Sequence, residues 1–480
     1  MDTGSVRPAV TELRLSAFKT HRGINLPLGP LTLLSGESGS GKSSALQAYE
    51  ILARLGSGES LARAVRDVAG SASACVPAGS RPDEQGRRGF RIGCTVDGPA
   101  GPVDLDLAVQ AEPELRIVGE RLTGGGETLL TTALTDPARP AVQAAWHTAG
   151  AVPVTRAPLP DDRLGTSLLP LRVAGKTEGQ RLVLAAAEQV VVALRSAFVC
   201  DPRPEVMRGA RGVTAAGAVG AGGTRARAKK AGTGKAAGKG AATTTTAGSW
   251  GTRTRKGSGD GGEAGRWGRD AEEAHDEGRL RTSCDNLPAV LERTSKECTR
   301  RHAVLVAAVR EACAGPVDGL RAVPRKPDRT GEGAAAVPSP AAPSAPAGGG
   351  RSASGAQRAV QEAAAEERRL QAVVDRGSLG EMPIEQLGDG ELRFVALALV
   401  LLTGPGVLAM DPAGEIPSAQ QQMTVMADGM DRCMDRRQAR ELVSLAVRMA
   451  ERGHVRLLGT VRDPSVADGL PGVQVLHLGA

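Results

Sequence analysis

The sequence predicts an α/β fold in which a mostly parallel sheet, covered by helices, is built around a phosphate-binding loop. Three observations predict it. Residues 31–47, LTLLSGESGSGKSSALQ, place Gly36, Gly41, Lys42 and Ser43 at the G-x-x-x-x-G-K-[ST] spacing, directly after an apolar run. Towards the C-terminus, apolar runs alternate with helical stripes: RFVALALVLL, then GVLAM ending at Asp411, then DRRQARELVSLAVRMAERG with an Asp435 cap and a Gly453 stop, then VRLLGTV. Such alternation implies parallel strands covered on both faces. Between these regions, GFRIGCTV and VDLDLAV alternate apolar and polar residues around the turn DGPAGP, which reads as an antiparallel β-meander.

The loop spacing has a mechanical reason. Glycines let the backbone curl so that successive N–H groups point at phosphate oxygens, while a lysine reaches the β/γ-phosphates and a hydroxyl reaches Mg²⁺. Leu31, Leu33 and Leu34 form the strand before the loop; Ala45, Leu46, Tyr49, Leu52 and Ala53 recur at helical spacing after it, so a helix N-terminus faces the anion. Gly36, Ser38, Gly39, Ser40, Gly41, Lys42, Ser43 and Ser44 are therefore candidate nucleotide-binding residues, Ser43 also for the metal. A second GKT at 175–177 is not a phosphate loop, because Pro170 occupies the first glycine position. Thr177 with Gln180 instead fits a capping box opening a helix through about Phe198.

Composition narrows the class. Aromatic residues are 2% of the 480, and the seven cysteines are scattered with no C-x-x-C pair, so neither a disulfide framework nor a zinc site is indicated and a reducing cytoplasm fits. No charged-then-apolar leader pattern opens the chain, and the longest apolar run, about 394–402, falls far short of the ~18 residues of a membrane span. The formal charge of +7 is local: residues 208–256 hold eleven Arg or Lys and no Asp or Glu, which leaves the remainder net acidic. That segment, with Trp250 and Trp267 its nearest aromatics, suits sequence-independent contact with DNA phosphates through residues 209–257 and offers little for base readout.

Two stretches read as disordered linkers: 209–276, rich in Gly, Ala, Thr and Lys, and 324–354, centred on AAAVPSPAAPSAPAGGG. They divide the chain into an N-terminal lobe at 1–208 with the loop and β-meander, a helical lobe at 277–323, and a C-terminal lobe at 355–480. Leu287, Val290, Leu291, Thr294, Cys298, Leu305, Ala308 and Val309 keep helical spacing, and AQRAVQEAAAEERRLQAVV reads as a shorter helical partner.

With these residues placed, the chain resembles an ABC-type P-loop ATPase head of the RecF/SMC-like branch. VTELRLSAFKTHRGINLPLGPLTLLSGESGSGKSS is similar to that family's first strand, F-K/R turn and phosphate loop. QLGDGELRFVALALVLL resembles its signature segment, GVLAMDPAGEIP lies where its Walker B strand would be, and RLLGTVRDP lies where a strand ends in a switch histidine. ALRSAFVCDPRP and CDNLPAVLERT resemble segments of the intervening lobe. The resemblance implies binding of ATP with Mg²⁺, a homodimer that forms head-to-tail on ATP binding, and a signature set of Leu387, Gly388, Asp389, Gly390 and Glu391 closing over the partner's nucleotide. It implies Asp411 as the Mg²⁺ carboxylate, and work on chromosomal or foreign DNA or on a protein partner that the sequence does not name.

Departures from the family pattern bear on turnover. Gly388 replaces the signature serine, Pro412 stands where the catalytic glutamate follows Asp411, and Arg462 stands where the switch histidine would be. Lys42, Glu415 and Arg462 are then the candidate catalytic residues, with Glu415 as a displaced base and Arg462 as a cation beside the γ-phosphate. The expectation is an ATPase with slow hydrolysis; the alternatives are a non-hydrolysing nucleotide-sensing switch and, more remotely, a transporter ATPase subunit.

Overall fold

Strand β3 (Leu31–Ser35), buried along its whole length, runs directly into the phosphate loop. It lies between β15 (Val455–Thr460) and β16 (Val473–His477) in a five-stranded sheet completed by β14 (Met423–Ala427) and β10 (Ala197–Val199), in the order β10-β14-β15-β3-β16. Every pairing is parallel, with Leu33 opposite Gly459 on one side and Val475 on the other. The three central strands are buried at each position, as strands covered on both faces must be. The computed structural model describes residues 7–148, 154–208, 279–325, 370–403 and 422–479.

The largest sheet is antiparallel, which corrects the expectation of a mostly parallel fold. Its eight strands run in the order β2-β1-β4-β5-β6-β7-β8-β9: β1 (Ala9–Phe18), β2 (His21–Pro27), β4 (Arg88–Asp97), β5 (Val103–Glu112), β6 (Arg116–Gly124), β7 (Glu127–Ala133), β8 (Ala141–His147) and β9 (Val154–Pro160). The expected meander is its centre, where Val96 faces Val103 across the Gly/Pro turn. The sheet extends beyond that meander because alternation continues past Val109 through Ile117, Leu122, Leu130, Val142 and Trp146, each buried on one face of a hairpin-connected strand.

Helices α1 (Lys42–Gly56) and α4 (Glu178–Arg195) fill the space between the two sheets. Tyr49, Leu52, Val190 and Leu194 pack with Phe90, Leu105 and Leu122 of the antiparallel sheet and with Leu34, Met426 and Leu458 of the parallel one. α2 (Leu61–Ala69) and the single turns α3 (Gly165–Leu168) and α5 (Pro204–Met207) complete this lobe. On the other face of the parallel sheet lie α6 (Leu287–Glu297), α7 (Thr299–Ala312), α8 (Asp389–Leu402) and α9 (Arg436–Glu451), joined in a second core around Leu305, Phe394, Leu442 and Val425. The strand residues divide between the cores with period two, Leu33 to one and Leu34 to the other.

The cap at Thr177 is present. Its Oγ1 accepts from Gln180 N at 3.2 Å, while Gln180 Oε1 accepts from Lys176 N at 2.9 Å. The helix stops at Arg195, so Phe198 belongs to β10. Thr177→Ala should lower stability by about 1 kcal/mol in denaturant unfolding, the usual worth of such a cap, without changing nucleotide binding.

The expected helix over AQRAVQEAAAEERRLQAVV is corrected at its end. Leu370–Asp375 is strand β12, paired antiparallel with β11 (Gly319–Pro324) and β13 (Glu381–Pro383). The β-branched pair Val373 and Val374 favours this pleat, and β11 offers an edge to pair with. Residues 356–369 of that stretch, and both predicted linkers apart from Pro324 and Arg325, lie outside the described residues.

Candidate nucleotide site

The phosphate loop is held by close packing that only glycine permits at two positions. Gly36 has φ +138°, and a Cβ there would lie 2.3 Å from the Leu478 carbonyl oxygen. Gly41, φ +94°, caps α1 and would meet the His21 ring at 2.4 Å. That ring packs on the loop through a hydrogen bond between Nε2 and the Gly41 carbonyl oxygen, 2.9 Å. The β1–β2 turn thus supports the loop from below, a role the sequence reading did not assign to His21. Lys42 Nζ donates to the carbonyls of Gly36 (2.7 Å) and Glu37 (2.8 Å), so its ammonium lies in the curl of the loop. Ser38, Gly39 and Ser43 are exposed, and Ser40 and Ser44 half-buried, along the loop and the first turn of α1.

One carboxylate reaches this loop from another strand. Ser43 Oγ donates to Asp428 Oδ2 at 2.8 Å. Asp428 follows β14, and its other oxygen accepts from Thr460 Oγ1 at 2.6 Å, from the end of β15. Thr460 Oγ1 in turn accepts from Gly429 N at 2.6 Å. A hydroxyl from the first turn of α1, after β3, and a carboxylate after β14, both hard oxygen donors, therefore meet at the C-terminal edge of the parallel sheet, with β15 between the two strands, where open α/β sheets bind ligands. Asp411 and Glu415 lie outside the described residues. The position sought for Asp411, after a central parallel strand and beside Ser43, is held by Asp428. The apolar run Met423–Ala427 before Asp428 has the same pattern as GVLAM before Asp411.

The residue after Asp428 is Gly429, with φ +56°. A Cβ there would lie 3.6 Å from Arg432 Cβ and 3.8 Å from its Nε, ordinary contacts within the turn. Asp431 does not face the loop serine. Its Oδ2 accepts from the amides of Arg462 (2.7 Å) and Asp463 (3.1 Å), which ties the turn after β14 to the end of β15. Arg462 enters this network through its backbone only, and its side chain is exposed. The hydroxyl and amide of Ser465 hold the Asp463 carboxyl below the ordinary carboxylate range.

The signature set sits where α8 begins. Gly388 caps the helix, and its N–H donates to Glu391 Oε2 at 3.3 Å. A Cβ on Gly388 would meet only Glu391 Oε2, at 4.0 Å, so space does not exclude a serine there. Gly390 is different: its Cβ would lie 2.2 Å from the Cys433 carbonyl oxygen, in the turn between β14 and α9. Asp389 pairs with Arg208 Nη1 at 2.6 Å, and Arg208 also donates to the carbonyls of Glu385 (3.1 Å) and Leu387 (2.7 Å). Glu391 lies 3.8 Å from Arg376 Nη2. Each carboxylate in the first turn of α8 is thus matched by an arginine that sequence reasoning had not singled out. Among the described residues no hydrogen bond joins Leu387–Glu391 to the Gly36–Ser44 loop.

No helix among the described residues is long and apolar enough to cross a membrane, and none of them form a cluster of three or more His, Cys, Asp or Glu suited to a metal ion. No protein-family profile matches the chain, and no curated protein matches it. Among solved structures it is similar to an Smc head bound to the C-winged helix domain of ScpA, at 10% identity and TM-score 0.39 over 95% of this chain and 90% of that one. It is similar also to an Smc head with an extended coiled coil bound to the C-terminal domain of ScpA derived from Pyrococcus furiosus (10% identity, TM-score 0.38, 96% and 91% covered). A third is the SMC head domain from Thermotoga maritima (10% identity, TM-score 0.36, 97% and 94% covered). Likeness so slight leaves the site to be read from its own residues.

Proposed function

We propose that this chain binds ATP with Mg²⁺, the Gly36–Ser44 loop and Lys42 holding the phosphates and Ser43 with Asp428 holding the metal. The Ser43–Asp428 contact of 2.8 Å carries this reading, because it brings a hard-oxygen pair, one from the start of α1 and one from the end of β14, to the end of a loop whose spacing suits an anion. Mg²⁺ bound there would neutralise β- and γ-phosphate charge. ATP over GTP, the RecF/SMC-like branch and a role on DNA or a protein partner follow from the sequence resemblance.

Gly429 supports slow hydrolysis. The position directly after Asp428 holds no carboxylate to orient a water, and a lost contact of this kind costs on the order of 10²-fold or more in rate. Phosphate release from the purified protein should fall below the usual range of about 1–10³ s⁻¹; turnover inside that range without any partner overturns this part of the reading. Complete absence of release with intact ATP binding would favour the alternative, a non-hydrolysing switch. The α8 N-terminus supports an ATP-dependent head-to-tail homodimer, since its N–H groups and positive end suit a phosphate presented by a second copy. Light scattering with a non-hydrolysable analogue tests this, and an unchanged mass across a wide concentration range argues against it.

A further inference from the structure

The most deeply buried arginine among the described residues lies beside the nucleotide site. Arg393, one turn inside α8, is 2% exposed. Among the described residues, the carboxylate within 4.0 Å of it is Asp201, whose Oδ1 is 4.0 Å from Nη1. The guanidinium instead donates to main-chain carbonyls: Pro202 through Nη1 at 2.6 Å, and Asp428 and Gly429 through Nη2 at 3.3 and 3.0 Å. Its Nε is buried with no hydrogen-bond partner.

A cation held in this way is a poor device for stability. Burial strips its hydration, carbonyls return only part of it, and a well-packed apolar side chain of similar volume often stabilises as well or better. What the guanidinium does provide is geometry. Its planar fork grips carbonyls on two sides at once, which a lysine cannot do. Two of those carbonyls bracket the peptide after Asp428, the residue that meets Ser43. The helix that carries Arg393 begins with Asp389 and Gly390, and Gly390 packs on the same β14–α9 turn.

We propose that Arg393 is a positioning residue that ties the first turns of α8 to the Asp428–Gly429 peptide and thereby sets the Mg²⁺ affinity of the nucleotide site. Movement of α8 when its N-terminus engages an anion shifts the Asp428 carboxylate relative to Ser43. Metal occupancy conversely biases α8, as any linked pair of equilibria requires. Arg393 has this role only if the loop binds ATP as read above.

Calorimetry with ATP, with and without Mg²⁺, separates the two. If the unaltered protein binds no ATP in either condition, the nucleotide reading fails and Arg393 loses its role with it. If it binds with a gain from Mg²⁺, Arg393→Met should lose about tenfold or more of that gain, the usual effect of removing a residue that orients a metal ligand. Metal-free affinity should stay within about twofold, since Arg393 touches no residue of the phosphate loop. Arg393→Lys, which keeps the cation without the fork, should fall between. A folded Met or Lys variant with the full Mg²⁺ gain overturns the role. Should both variants fail to fold, hydrogen exchange on the unaltered protein decides: Mg²⁺ with ATP, but not ATP alone, should change exchange at 389–394 together with 428–430. A change confined to 428–430 overturns the coupling.

Discussion

Lys42→Ala abolishes ATP binding by calorimetry, a loss of about 100-fold or more, while the unfolding midpoint hardly moves. The size of the loss follows from charge. Each hydrogen bond from an ionised donor is worth about 1.5–3 kcal/mol, and two of them together exceed the 2.8 kcal/mol or so that separates a hundredfold in affinity. The small effect on folding follows from what the side chain touches, since Nζ bonds only to carbonyls of its own half-exposed loop and to Ser40 Oγ at 3.5 Å. Retained affinity in a folded variant removes the nucleotide reading altogether.

Asp428→Asn removes the gain from Mg²⁺, and Asp411→Asn does not. Asparagine keeps an acceptor for Ser43 or Thr460 but no charge for the metal, so Mg²⁺-dependent affinity and any turnover should both fall by about 100-fold. Metal-free ATP should bind no more weakly, because one negative charge near the phosphates has gone. Calorimetry on the two variants distinguishes the carboxylate beside Ser43 from the one that the sequence pattern suggested. The reverse result, with Asp411→Asn losing the metal effect, moves the metal ligand back to residue 411.

Local patterns were legible where one element decides them. The strand and helix that flank the Gly36–Ser44 turn, the Thr177 and Asp435 caps and the meander core each follow from spacing within a dozen or so residues, and all are present. Two apolar runs end in Asp, at 411 and at 428, and the sequence pattern alone does not rank them. Met423–Ala427 pairs with β10 and β15, and its Asp428 meets Ser43. The helical reading of LQAVV failed because β11 supplies a partner that short-range periodicity does not see. Arg208, His21 and Arg393 act through backbone carbonyls or through residues far away in the chain, a pairing with no sequence spacing to betray it.

The order of strands in the parallel sheet has a consequence for synthesis. Ser35, at the end of the strand before the loop, is bonded to His477 at 2.6 Å across 442 residues of chain. Translation at about 5–20 residues per second leaves that partner missing for roughly 20–90 s after the loop is made. Throughout that time the growing chain carries a phosphate-loop sequence without β15, β16 or the Thr460 that steadies Asp428. A chain broken off before Val455 would never acquire them, so it would hold no nucleotide and draw no stabilisation from it. ATP bound as proposed would then stabilise chains that include β15 and β16 and not those that lack them.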